Sequence, residues 1–272
     1  MSAVSDVPEG WDCHVHVFDA VAGARGGHYQ PAHHPLERIE ALAASHGVGH
    51  LVLVQPSVYG TDNTLLLHAL AREPGRHRGV VVLDDAVSEA ELAVMDAHGV
   101  RGARLNLVSP VGEGGADPVQ RFGVLRPRLR RLGWHLQWYA HAAHLPTIAA
   151  LHRDSGLTCV LDHLAGFTPS LPCEPDHPAW QAVDELAAGG AWLKLSGWYR
   201  LASTVPHADL VPTIRRLAER FGDRLIWGSD WPHTLFAPQD MPPYAATWAP
   251  VVEALGPEVA LALRGRWPVI YR

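Results

Sequence analysis

Short β-rich runs alternate with longer stretches of helical apolar spacing from one end of this chain to the other, and that alternation limits the fold more than any other feature. The runs are Trp11–Phe18, Gly49–Gln55, Arg78–Asp84, Arg101–Leu107, Trp134–Ala140, Thr158–Leu164, Ala191–Gly197 and Leu225–Trp231. Each is rich in Val, Leu or aromatic residues and is bounded by turn formers. Between them, Leu36, Ile39, Leu42 and Ala43 recur at helical spacing before Gly47. Ser88 with Glu91 three residues on reads as a capping box, in a stretch that ends at Gly99. A third helical stretch runs up to Gly222. Strands alternating with amphipathic helices imply parallel βαβ units. Eight of them in 272 residues predict a single α/β domain over residues 1–272, a distorted (β/α)8 TIM barrel. A doubly wound sheet would place a glycine-rich fingerprint after its first strand. The segment there, residues 17–27, lacks that spacing.

Composition narrows the function classes. Hydrophobic residues make up 47% of the chain, enough to fill a core, and the net charge is −6. An acidic balance argues against a nucleic-acid partner. No apolar run is long enough to span a membrane. The first residues carry no signal-peptide pattern. Cys13, Cys159 and Cys173 form no CxxC pair, which fits buried thiols in a reducing compartment. The expectation is a cytoplasmic protein, monomeric or homo-oligomeric, acting on a small molecule.

In a closed barrel the chemistry gathers at the C-terminal ends of the strands. His14 and His16 occupy alternate positions of the first run, so their side chains share a face. Two imidazoles inside a barrel are costly to bury without partners. Asp162 and His163 end the sixth run, and Asp230, Trp231, Pro232 and His233 end the eighth. Arg104 and Asn106 lie on the fourth run, and Gln137 and Tyr139 on the fifth. Arg104 suits a structural ion pair and a substrate-carboxylate clamp equally. His28, His33 and His34 fall in loops and read as solvated, with His233 the best loop candidate for the site.

These residues resemble the amidohydrolase superfamily, in its amidohydrolase-related branch. The motifs are Asp12-Cys13-His14-Val15-His16, Leu161-Asp162-His163 and Trp227-Gly228-Ser229-Asp230-Trp231-Pro232-His233. Two more, Gln55 through Asn63 and Gly102 through Asn106, are similar to the 2-pyrone-4,6-dicarboxylate lactonases and related lactone hydrolases. The resemblance spans nearly the whole chain. It implies opening of a carboxylated or sugar-derived lactone. Asp230 would be the general base, and His14, His16 and His163 would polarise the carbonyl. It implies Ser57, Tyr59, Thr61, Asn63, Arg104 and Tyr139 around the substrate, with Arg200 and His233 as further candidates. On the fifth run, where metal-using members carry a histidine or a modified lysine, the inward residues are Gln137 and Tyr139, or Leu136 and Trp138 in the opposite phase. The resemblance therefore implies metal-independent chemistry, or one divalent ion, zinc by its N and O ligands, on His14, His16, His163 and Asp230. A metal-dependent decarboxylase of the same superfamily is the alternative activity. A ligand-binding barrel without catalysis is a third reading, which the joint presence of His14, His16, His163 and Asp230 disfavours.

Overall fold

A computed structural model describes residues 7–19, 32–108, 117–171, 174, 176–234, 236–265 and 268–272. His28, Cys173 and most of the loop after the fourth strand lie outside these residues. Eight parallel strands run in sequence order, β1 (Gly10–Val15), β2 (Val48–Val54), β3 (Arg78–Val81), β4 (Val100–Asn106), β5 (His135–Tyr139), β6 (Cys159–Leu161), β7 (Trp192–Leu195) and β8 (Leu225–Trp227). Helices follow them, among them α1 (Leu36–Ala44), α2 (Thr64–Arg72) and α3 (Glu89–Ala97). The fold is a (β/α)8 barrel. The expected capping box is present at α3, where Ser88 Oγ accepts the Glu91 N–H and Glu91 Oε2 accepts the Ser88 N–H. No helix among the described residues is long and apolar enough to cross a membrane.

Two apolar layers hold the barrel. One joins the outer faces of the strands to the helices. The other fills the interior with Trp11, Cys13, Val52, Val54, Val80, Val160, Ile226 and Tyr271. Trp11 and Cys13 have the opposite phase to His14 and His16. A regular β1 would therefore have turned both histidines outward. Between Asp12 and Val15 the strand advances three residues while β2 advances two, from Leu51 to Leu53. The extra residue is a β-bulge, which re-aims side chains, and it brings His14 and His16 inside.

The barrel closes where β1 meets the chain beyond β8. The Asp230 N–H donates to His14 O at 2.8 Å, and the His16 N–H to Trp231 O at 2.9 Å. The Asp12 carboxylate pins this seam by accepting the His14 and Ser229 N–H groups at 3.1 and 2.9 Å and the Tyr244 hydroxyl at 2.9 Å. Gly228 permits the approach, since a Cβ there would lie 2.5 Å from His14 Cβ. β6, β7 and β8 end sooner than their apolar runs suggest. After them the backbone leaves the extended region, with φ of +47° at His163, +62° at Gly197 and +60° at Asp230.

Candidate active site

Four residues expected from the sequence meet at the barrel mouth. His16 Nδ1–H donates to Val54 O at 2.7 Å, and its Nε2 faces Asp230 Oδ1 at 3.3 Å. His14 Nε2 lies 3.6 Å from the same oxygen. His163 packs against His14 with ring centroids 4.8 Å apart, and its Nδ1 pairs with Ser196 Oγ at 2.9 Å. The left-handed backbone at His163 and Asp230 costs on the order of 1–3 kcal/mol per residue, the kind of strain that gathers at functional sites. Gly197 makes room for the His163 ring, because a Cβ there would stand 2.3 Å from its Nδ1.

Beneath this cluster lies a buried charged tier. Lys194 on β7 has no solvent exposure. Its ammonium donates to Gln137 Oε1 at 2.7 Å and sits 3.5 Å from both His14 Nδ1 and Asp162 Oδ1. Asp162 also accepts Gln137 Nε2–H at 2.9 Å and pairs with Arg104 Nε at 3.3 Å. Burial alone would raise the Asp162 pKa, but the cations of Lys194 and Arg104 beside it hold it well below the carboxylate range. Burial pushes His14 well below its ordinary value and His163 down to about 4, so both rings are neutral at pH 7. Asp162 lies 3.4 Å from His14 Nδ1 without hydrogen-bond alignment. Nδ1 is therefore read as accepting from Lys194, which leaves the proton on Nε2, facing the mouth.

The other candidates divide. Tyr139 belongs to the site: its ring stands edge-on to His163 at 5.0 Å, beneath the guanidinium of Arg104 at 5.0 Å and that of Arg200 at 5.8 Å. Gln137 and Tyr139 thus face inward, as one of the two expected phases had it. Arg200 Nε donates to Asp230 Oδ2 at 2.6 Å, beside the Tyr199 hydroxyl at 2.7 Å. Burial works upward on Asp230, but Arg200 together with the other groups that face the carboxyl holds it well below the usual range. His233 is buried, not solvated, and its Nε2–H donates to Ser229 O at 3.0 Å. Ser57 Oγ accepts from Asn106 at the end of β4. Tyr59, Thr61 and Asn63 do not join the cluster. The Tyr59 hydroxyl is held by the Asp19 backbone, the Asn63 amide bonds both Val82 N–H and O, and Thr61 is exposed near α3.

Sequence reasoning passed over Lys194 and Tyr199. A signal for Lys194 was present: it is the only lysine among 22 lysines and arginines, and it alternates with Leu193 and Leu195. A cation between apolar residues on a strand faces the barrel interior.

His14, His163 and Asp230 each offer a ligand atom, and these atoms lie within 4.8 Å of one another. The Nε2 atoms of His14 and His163 are buried and lack a hydrogen-bond partner among the described residues. This donor set fits a divalent ion by type and position, on the condition that the His14 proton moves to Nδ1, facing Asp162. His16 stands outside the group.

A sequence profile of the amidohydrolase family matches residues 11–261. A 4-sulfomuconolactone hydrolase of Rhizobium radiobacter is 32% identical, covering 87% of this chain and 80% of its own length. A 2-pyrone-4,6-dicarboxylate hydrolase of Comamonas testosteroni is 31% identical, covering 82% and 76%. Among solved structures, a putative 2-pyrone-4,6-dicarboxylic acid hydrolase from Pseudomonas putida superposes with a TM-score of 0.82 at 32% identity, covering 96% of this chain and 97% of that one.

Proposed function

The chain belongs to the amidohydrolase family, and on that premise we propose that it hydrolyses a lactone bearing one carboxylate, using Asp230 as general base. One observation carries the mechanism: two buried imidazole Nε2 atoms, without hydrogen-bond partners among the described residues, adjoin a carboxylate and an arginine at the barrel mouth. Lactone opening needs an activated water and a place for the developing oxyanion. Asp230 Oδ1 takes a proton from water, whose oxygen attacks the lactone carbonyl. Nε2–H of His14, and of His163 when Ser196 donates to its Nδ1, stabilise the oxyanion. Collapse expels the ring oxygen, which takes the proton held by Asp230, and the new carboxylic acid ionises and releases its proton to solvent. The products are a free carboxylate and a hydroxyl on one open chain.

Arg200 links this chemistry to the substrate. While it pairs with Asp230 it keeps that carboxylate a weak base. A substrate carboxylate competes for the same guanidinium, and Asp230 gains basicity as Arg200 turns away. Arg104 is less available, since it is committed to Asp162 and Gln55 O. Arg200→Met is expected to raise KM for carboxylated lactones about tenfold or more, a typical effect of losing a charged contact. It also removes the cation that depresses the Asp230 pKa, so the acid limb of kcat/KM should move to higher pH. A profile and KM unchanged from wild type would remove Arg200 from the site.

A divalent ion on His14, His163 and Asp230 would polarise the carbonyl and acidify a water. The Lys194 contact favours the His14 tautomer that lacks a free lone pair on Nε2. Exhaustive chelation is therefore expected to leave turnover in place. Loss on chelation with recovery on zinc addition would assign that ion and the other His14 tautomer. The direct test of the activity is ring opening across a panel of carboxylated lactones, followed by proton release. Carbon dioxide release with no lactone opened would favour the decarboxylase, which neither the relatives nor the site otherwise supports.

A further inference from the structure

Between the segments that follow β7 and β8, on the catalytic face, lies a cavity of about 280 Å³. Its wall is largely apolar, with Trp198, Tyr199, Phe236, Met241, Pro242 and Ala246 among its residues. It adjoins the reaction centre across Tyr199, Ser229 and His233. Tyr199 lines it while its hydroxyl holds Asp230 Oδ2 at 2.7 Å. Ser229 lines it one residue before Asp230, and His233 lines it with a buried Nδ1 that has no hydrogen-bond partner among the described residues. The other pole of the site is cationic, with Arg104 and Arg200 both over Tyr139.

We propose that this cavity receives an apolar arm of the substrate, an aryl or branched alkyl substituent on the lactone opened at Asp230. The proposal rests on the lactone-hydrolase reading and narrows it to amphipathic lactones. Their carboxylate is held on the arginine side and their hydrocarbon on the Tyr199 and His233 side. The volume suits the assignment, since an apolar cavity of about 150 Å³ already accepts benzene. A mostly apolar wall with a few polar groups is the usual form of a small-molecule site. Here the polar group is His233 Nδ1. Its ring donates from Nε2 to Ser229 O, so Nδ1 is an acceptor for a hydroxyl carried by the arm.

The test compares a γ-butyrolactone carboxylate with its phenyl-substituted analogue. Filling an apolar pocket commonly changes kcat/KM by about 10–200-fold, so wild type should prefer the phenyl compound by about tenfold or more. Ala246→Phe fills the cavity and Met241→Gln makes its wall polar. Both should bring the preference toward unity while leaving the unsubstituted lactone turned over at the wild-type rate. A wild-type preference near one, or a preference intact in both variants, overturns the proposal. Calorimetric binding of the two ring-opened hydroxy acids to the same three proteins separates it from the activity. Tighter binding of the phenyl acid, lost in the variants, with no lactone turned over, would remove the lactone reading and keep the arm site. Turnover with equal binding of the two acids would do the reverse.

Discussion

Asp230→Asn is expected to fold like the wild type and to lose turnover by about 10²–10⁴-fold, the range of general-base assistance. The amide is isosteric with the carboxylate and can satisfy the same neighbours. Its oxygen accepts from Arg200 and Tyr199, as Oδ2 does now, at 2.6 and 2.7 Å. Its NH2 group takes the place of Oδ1, 3.3 Å from His16 Nε2, and His16 Nδ1 keeps its bond to Val54 O. The Arg200 and Tyr199 contacts are kept, and the melting temperature should move little. What the amide cannot do is accept a proton from water at pH 7. Steady-state kinetics with thermal melts decide the matter, and near-normal turnover in a folded variant would sink the base assignment.

Lys194→Met should cost both stability and rate. Removing one partner from a buried ion pair typically destabilises by about 3–5 kcal/mol, because the remaining charge loses its compensation. Here Asp162 keeps Arg104 and Gln137, which places the loss toward the lower end. The rate effect has a different origin. Without the ammonium, His14 Nδ1 meets Asp162 Oδ1, at 3.4 Å, and turns donor toward it. Nε2 then gives up its proton and no longer donates to the oxyanion. Loss of one such donor lowers kcat by about 10²-fold or more, with KM little changed. Nitrogen shifts of the His14 ring report the tautomer directly. A folded variant with wild-type kcat and an unmoved His14 spectrum would reduce Lys194 to a packing role. The same change frees a lone pair on Nε2, so zinc affinity should rise as metal-free turnover falls.

Much of this architecture could be read before any coordinates, for reasons that differ by element. Short runs rich in Val, Leu and aromatic residues, bounded by turn formers and alternating with helical stretches, identified the eight strands, and the Ser88 and Glu91 cap followed from a local pattern. His14, His16, His163 and Asp230 were recognisable because polar residues at strand ends converge in a barrel. The strand ends themselves were not legible. The left-handed turns at His163 and Asp230 occur at residues with no glycine signal, so the apolar runs overstated β6 and β8. Alternation shows which residues share a face, but a single bulge in β1 resets which face is inside. Pairing is further from reach. Arg200 was expected on the substrate, and the fold places it first on Asp230. Asn63 was expected at the substrate, and its amide is spent on Val82.

The seam between the first and last strands sets an order of events. Asp12 and Ser229 are joined across 217 positions of chain, and His14 and Asp230 meet on the same seam. A nascent chain lacking its last unit can pair β1 through β7, yet it lacks Asp230, the proposed base. Catalytic competence is therefore a property of the closed ring, gained when the two ends of the polypeptide find each other and lost as soon as they part. Contacts of such long sequence separation form late and at the highest entropic cost. Recovery of activity during refolding should lag the return of secondary structure, which makes turnover itself a reporter of closure.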